Sequence, residues 1–98
     1  MDRNRWHAAP FKWQMGNIAS ELSRAVQFEK AGDSSHRQAS LTRAIALLVA
    51  TVDDIKNRSK AKELCRFKEV VADWYAGENR YSIRREALRD YALFFTIH

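Results

Sequence analysis

Three breaks divide the chain into four stretches with the periodicity of an amphipathic helix. Gly32 forms the first break, residues 57–59 the second and residues 77–82 the third. Within each stretch, apolar residues recur three or four positions apart, which places them on one face of an α-helix. Short connections favour antiparallel packing of neighbouring helices. The sequence therefore predicts an all-α fold, an up-and-down antiparallel four-helix bundle, formed by a single domain over residues 1–98.

The first two predicted helices have clear start and stop signals. Pro10 suits the first turn of a helix, where its missing N–H has no role, and Gly32 suits a left-handed cap at the helix end. Residues 33–35 are all good N-caps for the second helix, which we expect to cover residues 35–56. Residues 1–9 carry no such signal, and we expect them to form a flexible polar lead.

The second helix is expected to be the most central of the four. Its apolar residues follow the four-and-three spacing of helix-on-helix packing. Leu48 lies in the middle of this seam, so we expect its side chain to be almost fully buried. The seam consists of Leu41, Ile45, Leu48, Val52 and Ile55.

The last two helices are bounded by small polar residues and glycine. Ser59 is expected to cap the third helix, Gly77 to end it, and Ser82 to cap the fourth. The apolar stripe expected to bury the fourth helix consists of Ile83, Ala87, Tyr91 and Phe94, joined by Leu88 and Phe95.

Composition excludes several classes of protein. Apolar residues make up 46% of the chain, which is enough to form one hydrophobic core, so intrinsic disorder is not expected. The single cysteine, Cys65, permits no internal disulfide, which suits a reducing, cytoplasmic setting. No apolar run approaches the roughly 18–20 residues of a membrane-spanning helix, so we expect no membrane partner.

The sequence contains no recognisable motif for catalysis, for a cofactor or for a metal. The three histidines are far apart in the sequence, and no glycine-rich phosphate loop is present. We therefore predict no cofactor, no metal site and no catalytic residue, and we regard an enzyme as the less favoured interpretation.

Positive charge is concentrated between residues 56 and 68. This segment carries a net charge of +5, as does the whole chain, and a cluster of cations suits binding to phosphate backbones. An ordinary solvated helix face is the alternative. The candidate nucleic-acid-binding residues are Lys56, Arg58, Lys60, Lys62 and Lys68.

A second set of charged residues lies inside the predicted helices. These residues can form salt bridges between helices, or they can converge into a polar pocket with perturbed protonation. The candidate pocket residues are Glu21, Arg24, Arg66, Glu69 and Asp73.

Several stretches of the chain resemble a family of small bacterial and archaeal helical proteins with no established activity. The matching stretches are residues 13–21, 23–25, 30–32, 43–44, 53–58, 66–73 and 77–81. The resemblance implies a single helical-bundle domain and no particular chemistry. The chain departs from the family at its C-terminus, where residues 95–98 replace an end rich in alanine and arginine.

The sequence supports three functional hypotheses of different classes. The leading one is a non-enzymatic interaction protein that forms a homodimer, because eleven aromatic residues exceed what a small core easily hides. Its expected interface includes Tyr91, Phe94 and Phe95. The alternatives are a nucleic-acid-binding accessory protein that uses the basic segment, and an enzyme with a cryptic polar pocket.

Overall fold

The computed structural model describes residues 2–97, and this part of the chain is helical with no strand. The prediction of an all-α fold is confirmed. Five α-helices are present in these residues, because the N-terminal segment contributes one that the sequence did not predict. The helices are α1 (Arg3–Ala8), α2 (Phe11–Lys30), α3 (Ser34–Val52), α4 (Ala61–Ala76) and α5 (Arg85–Ile97), with a 3₁₀ helix at Ile55–Lys60 between α3 and α4.

Helix α1 replaces the flexible lead expected at residues 1–9, and for the residues it covers that prediction is wrong. Asp2 caps the helix by accepting the backbone N–H groups of Asn4 and Arg5 at 3.0 and 3.3 Å. Trp6 is only 5% exposed, and its indole N–H donates to the hydroxyl of Thr51 at 3.0 Å. A six-residue helix is not stable by itself, so this burial is what holds α1 in place.

Helices α2 and α3 lie antiparallel and supply most of the core. Side-chain pairs connect the start of α2 with the end of α3, and the end of α2 with the start of α3. The pairs are Gln14 with Asp54 at 2.9 Å, Glu21 with Arg43 at 2.7 Å and Glu29 with Arg37 at 3.6 Å. The turn between the helices follows the prediction, because Gly32 has a left-handed φ of 73° and Asp33 caps α3.

The second break falls earlier in the chain than expected. Helix α3 ends at Val52, and Asp54 accepts the backbone N–H of Lys56 to begin the 3₁₀ helix. Ile55 was expected on the buried seam, yet it is 80% exposed, while Asn57 is 1% exposed. The prediction of one helix over residues 35–56 is therefore wrong at its C-terminal end.

Helix α5 starts later than expected and buries a different face. Gly77 ends α4 with a left-handed φ of 72°, as predicted, but Ser82 also has a positive φ of 49° and does not cap a helix. The residues of α5 that reach the core are Leu88 at 3% and Ala92 at 0% exposure. Of the predicted stripe, Leu88 is therefore buried and Tyr91 and Phe95 pack half-buried against the core, whereas Ile83 and Phe94 are exposed.

The buried apolar side chains form one cluster, to which α1, α2, α3, α4 and α5 all contribute. Leu48 has 0% exposure, which confirms the prediction for the middle of the seam. The large side chains at the centre of the cluster are Met15, Ile18, Leu22, Leu41, Leu48 and Leu64.

Candidate functional site

An apolar groove lies between α4 and α5. Its volume is about 390 Å³. The two helices meet here mainly through long side chains, with the rings of Phe67 and Tyr91 at 4.7 Å between centroids. We call this feature the α4–α5 groove; its lining residues are Glu63, Arg66, Phe67, Val70, Ile83, Ala87, Leu88 and Tyr91.

Tyr91 closes one end of the α4–α5 groove. Its hydroxyl donates a hydrogen bond to the carboxylate of Glu63, and its ring packs edge-on against Phe95 at 5.2 Å. Burial and the negative charge of Glu63 both disfavour the phenolate, so the pKa of Tyr91 is raised above its ordinary value of 10. The hydroxyl group of Tyr91 is therefore protonated at neutral pH and donates a hydrogen bond.

The outer edge of the groove continues along α5 as an exposed apolar strip. Phe94 of α5 is 52% exposed and Ile83, which precedes α5, is 37% exposed, while Ala87 and Tyr91 of α5 are half-buried. We call Ile83, Ala87, Tyr91 and Phe94 the α5 edge. Beside the residues that it buries in the core, α5 thus has a partly exposed apolar edge that borders the groove and solvent.

The residues expected at an interface lie together on the C-terminal half of α5. The rings of Phe94 and Phe95 are 5.6 Å apart, and Phe95 in turn packs against Phe11 of α2 at 5.5 Å. Phe95 is half-buried, whereas Phe94 is the most exposed of the three predicted residues. The structure therefore brings Tyr91, Phe94 and Phe95 into one aromatic row that ends at the surface.

A buried polar network, which sequence reasoning missed, joins α1, α2, α3 and the 3₁₀ helix. The side-chain amide of Gln14 donates at 2.9 Å both to the carbonyl of Trp6 and to the carboxylate of Asp54. Asn57 donates to the carbonyl oxygen of the Gln14 side chain at 2.9 Å and to the backbone carbonyl of Thr51 at 3.1 Å. Among the described residues, no buried side-chain nitrogen or oxygen lacks a partner.

Asp54 carries the negative charge of this network. Burial raises the pKa of Asp54, but hydrogen bonds from Lys56 and Gln14 outweigh that effect, and the pKa lies below its ordinary value of 3.8. The ammonium group of Lys56 binds the carboxylate and also donates to the carbonyl of His7 at 2.9 Å. The network therefore ties the end of α1 to the 3₁₀ helix, and its groups satisfy one another.

The structure does not bring the five candidate pocket residues together. The carboxylate of Glu21 is bound by Arg24 at 2.9 Å and by Arg43 of α3 at 2.7 Å, which makes a salt-bridge cluster. The other three candidates lie elsewhere on α4. Glu69 and Asp73 line a separate cavity of about 390 Å³ near the end of α4, and Arg66 lines the α4–α5 groove.

The residues of the candidate nucleic-acid site have different environments. Lys56 is bound within the polar network, and Lys68 is half-buried on α4. Arg58 and Lys62 are exposed. The ammonium group of Lys60 lies 4.8 Å from the centre of the Phe11 ring, which places the basic segment beside the start of α2.

Two cations of other elements extend this basic surface. Arg5 of α1 and Lys12 of α2 are exposed at the same end of the molecule, because α1 and the start of α2 pack beside the 3₁₀ helix. This juxtaposition could not be predicted from the sequence, since residues 5 and 12 are far from residues 58–62 along the chain.

Comparisons with known proteins were made for the whole chain. No family model, no curated protein and no solved structure matches it. The resemblance described from the sequence therefore stays a prediction. Within residues 2–97, no three His, Cys, Asp or Glu side chains are placed to bind a metal ion together, and no helix of that part is long and apolar enough to cross a membrane.

Proposed function

We propose that this protein is a non-enzymatic interaction protein that dimerises through the α4–α5 groove and the α5 edge. In this proposal the four long helices act as an up-and-down bundle that holds the groove open. The observation that carries it is the exposed apolar surface of the α5 edge, where Phe94 of α5 is 52% exposed and Ile83, just before α5, is 37% exposed.

An exposed apolar face on an otherwise core-forming helix is typical of a binding surface. Small helical proteins bury one stripe of each surface helix, and a second stripe is unfavourable in water unless a partner covers it. The groove beside the stripe is lined by Phe67, Val70 and Leu88, which an apolar side chain of a partner can contact. In helix-in-groove recognition, the apolar edge of a helix binds an apolar groove of the partner.

A second copy of the chain is the occupant that fits the charges of the rim. Glu63 and Arg66 of α4, one acidic and one basic, both line the groove. In a two-fold arrangement each surface meets its own copy, so a rim with one charge of each sign is complementary to itself. A strongly acidic or strongly basic partner would gain no comparable match.

Sedimentation equilibrium of the full chain tests the proposal. We expect a dimer at high micromolar concentration, and we expect Phe94→Ser to weaken dimerisation about ten-fold or more, as for a buried aromatic anchor. Tyr75→Ser is the matched control, because Tyr75 is also an exposed aromatic, at 43%, but lies at the end of α4 beside the start of α3. A wild-type monomer at high micromolar concentration would contradict the proposal, as would equal effects of the two substitutions.

A further inference from the structure

A second surface, unconnected with the α4–α5 groove, lies where α1 meets α2. It is a groove of about 560 Å³, which is within the range of clefts that bind small planar ligands. Trp13 forms one wall, is 53% exposed, and packs against the buried Trp6 at 5.3 Å between ring centroids. We call it the α1–α2 groove; its lining residues are Asp2, Arg5, Trp6, Ala8, Ala9 and Trp13.

Unpaired positive charge surrounds this groove. The nearby carboxylates of Asp53 and Asp54 are already bound by Arg3 and Lys56. Within residues 2–97, the other cations of this end have no carboxylate within 4.0 Å. These cations are Arg5, Lys12, Arg58, Lys60 and Lys62.

Contacts place the cations of different elements side by side. Lys12 follows Phe11 in α2, and the ammonium group of Lys60 lies over the Phe11 ring. Lys12 and Lys60 line one shallow cavity together with Pro10. Arg5 lines the neighbouring α1–α2 groove, and Trp13 of the same groove follows Lys12 directly in α2. Asp2 is the one acidic residue in that groove, and its carboxylate already accepts two backbone N–H groups of α1.

We propose that this surface binds single-stranded nucleic acid, with a base stacked on Trp13 in the α1–α2 groove and the backbone phosphates on the five unpaired cations. Proteins that bind single strands combine an aromatic platform with a positively charged track of this kind. In a duplex, the faces of the bases are stacked on one another and are not available to an indole ring. An anionic membrane is less well matched, because Trp13 forms the wall of a concave groove rather than a protruding apolar tip.

Tryptophan fluorescence reports on this binding directly. Trp6 and Trp74 are 5% and 2% exposed, so Trp13 is the exposed tryptophan among the three. We expect oligo(dT) and oligo(U) of about ten nucleotides, a length within the usual site sizes, to quench this emission at low salt. Trp13→Ala should weaken binding of the labelled oligonucleotides by about ten-fold or more, whereas Trp13→Phe should restore most of it. Tyr75→Ala is the control for removing an exposed aromatic side chain elsewhere.

Salt dependence tests the phosphate contacts. For a single strand, the slope of log affinity against log salt changes by about 0.7 per phosphate contact, so Lys60→Gln with Lys62→Gln should flatten it by about 1.4. Arg84→Gln, an exposed cation outside this surface, should leave the slope unchanged. Circular dichroism melting establishes that each variant is folded.

Three results would overturn the proposal. The first is no binding of either oligonucleotide at low salt, and the second is undiminished binding by a folded Trp13→Ala variant. The third is binding to phosphatidylglycerol vesicles without binding to the oligonucleotides, which would assign the surface to a membrane. Because none of these residues lines the α4–α5 groove, a monomeric protein would refute the proposed dimer and leave this inference standing.

Discussion

The region around α1 and the region around the α4–α5 groove are built in opposite ways. At the α1 end, the side chains of Gln14, Asp54 and Asn57 are buried and hydrogen-bonded to one another or to neighbouring backbone. At the α4–α5 groove, apolar residues line a trough, and Phe94 on the same helix is 52% exposed. One region is closed by polar groups that satisfy one another, and the other presents apolar side chains to solvent.

This difference separates a structural role from a binding role. A buried polar network is stable only in the arrangement that satisfies all its members, so it fixes the position of α1 and the 3₁₀ helix. An open apolar groove can bind a partner, because covering its apolar surface removes that surface from water and is favourable. We therefore expect substitutions of the buried polar network to change stability, and substitutions at the α5 edge to change self-association.

Leu48→Ala should have the largest effect on stability, because Leu48 lies in the core that both regions share. Its side chain has 0% exposure, and the substitution should lower the free energy of unfolding by about 2–5 kcal/mol. Urea unfolding followed by circular dichroism measures this change. A decrease below about 1 kcal/mol would mean that the site collapses around the missing atoms and that the core is not close-packed there.

Gln14→Ala should have the next largest effect. It removes one hydrogen bond each from the Trp6 carbonyl, Asp54 and Asn57, and a hydrogen bond contributes about 0.5–1.5 kcal/mol, or more where one partner is charged. Water can replace some of these bonds, so we expect a loss of about 2–3 kcal/mol in total. Gln38→Ala is the matched control. The side chain of Gln38 is half-buried, and the one hydrogen bond that its amide group makes to another helix is to the carbonyl of Tyr75. Equal losses for the two variants would show that the network has no special stabilising role.

The contribution of Asp54 should depend on pH. Because its pKa in the folded protein is below the ordinary value of 3.8, its stabilising effect is complete above that value and is lost as the pH falls through the lower, folded pKa. Asp54→Asn should therefore be about 1–2 kcal/mol less stable than wild type at neutral pH, and the difference should shrink below pH 3.8. Urea unfolding at several pH values measures the difference. A difference in the free energy of unfolding that does not change with pH would contradict a stabilising role for the charge of Asp54.

Tyr91→Phe should have the smallest effect on stability. The substitution removes the hydrogen bond to Glu63, but it keeps the ring contacts with Phe67 and Phe95. Glu63 is exposed and regains water, so we expect a loss of less than about 1 kcal/mol. Thermal melting measures it, and a loss above about 2 kcal/mol would contradict the small contribution assigned to this hydrogen bond.

The sequence predicted what depends on local signals. The left-handed glycines at residues 32 and 77, the cap at Asp33 and the burial of Leu48 each follow from backbone preferences or from periodicity, and the structure confirms them. These features need no knowledge of which helices are neighbours.

What the sequence did not predict depends on distant partners. Trp6 looked like part of a flexible lead because its hydrogen-bond partner, Thr51, is 45 residues away. Periodicity counted Ile55 as apolar and Asn57 as a break, although the buried residue is Asn57. On α5, periodicity detected an apolar stripe that included the buried Leu88, but it could not tell that Phe94 of this stripe is exposed and that Ala92 is buried. The prediction of a polar pocket was wrong for the same reason, because the sequence does not show which charged residues of different helices lie close together.

Hydrogen–deuterium exchange at low and high micromolar protein concentration tests the contrast between the two regions most directly. We expect amides of residues 83–94 to become more protected as concentration rises, because a second copy covers the α5 edge. We expect residues 3–8 and 55–60 to show the same protection at both concentrations, because their bonds are made within one chain. Protection at residues 83–94 that does not change with concentration, or a concentration-dependent change at the α1 end instead, would contradict this account.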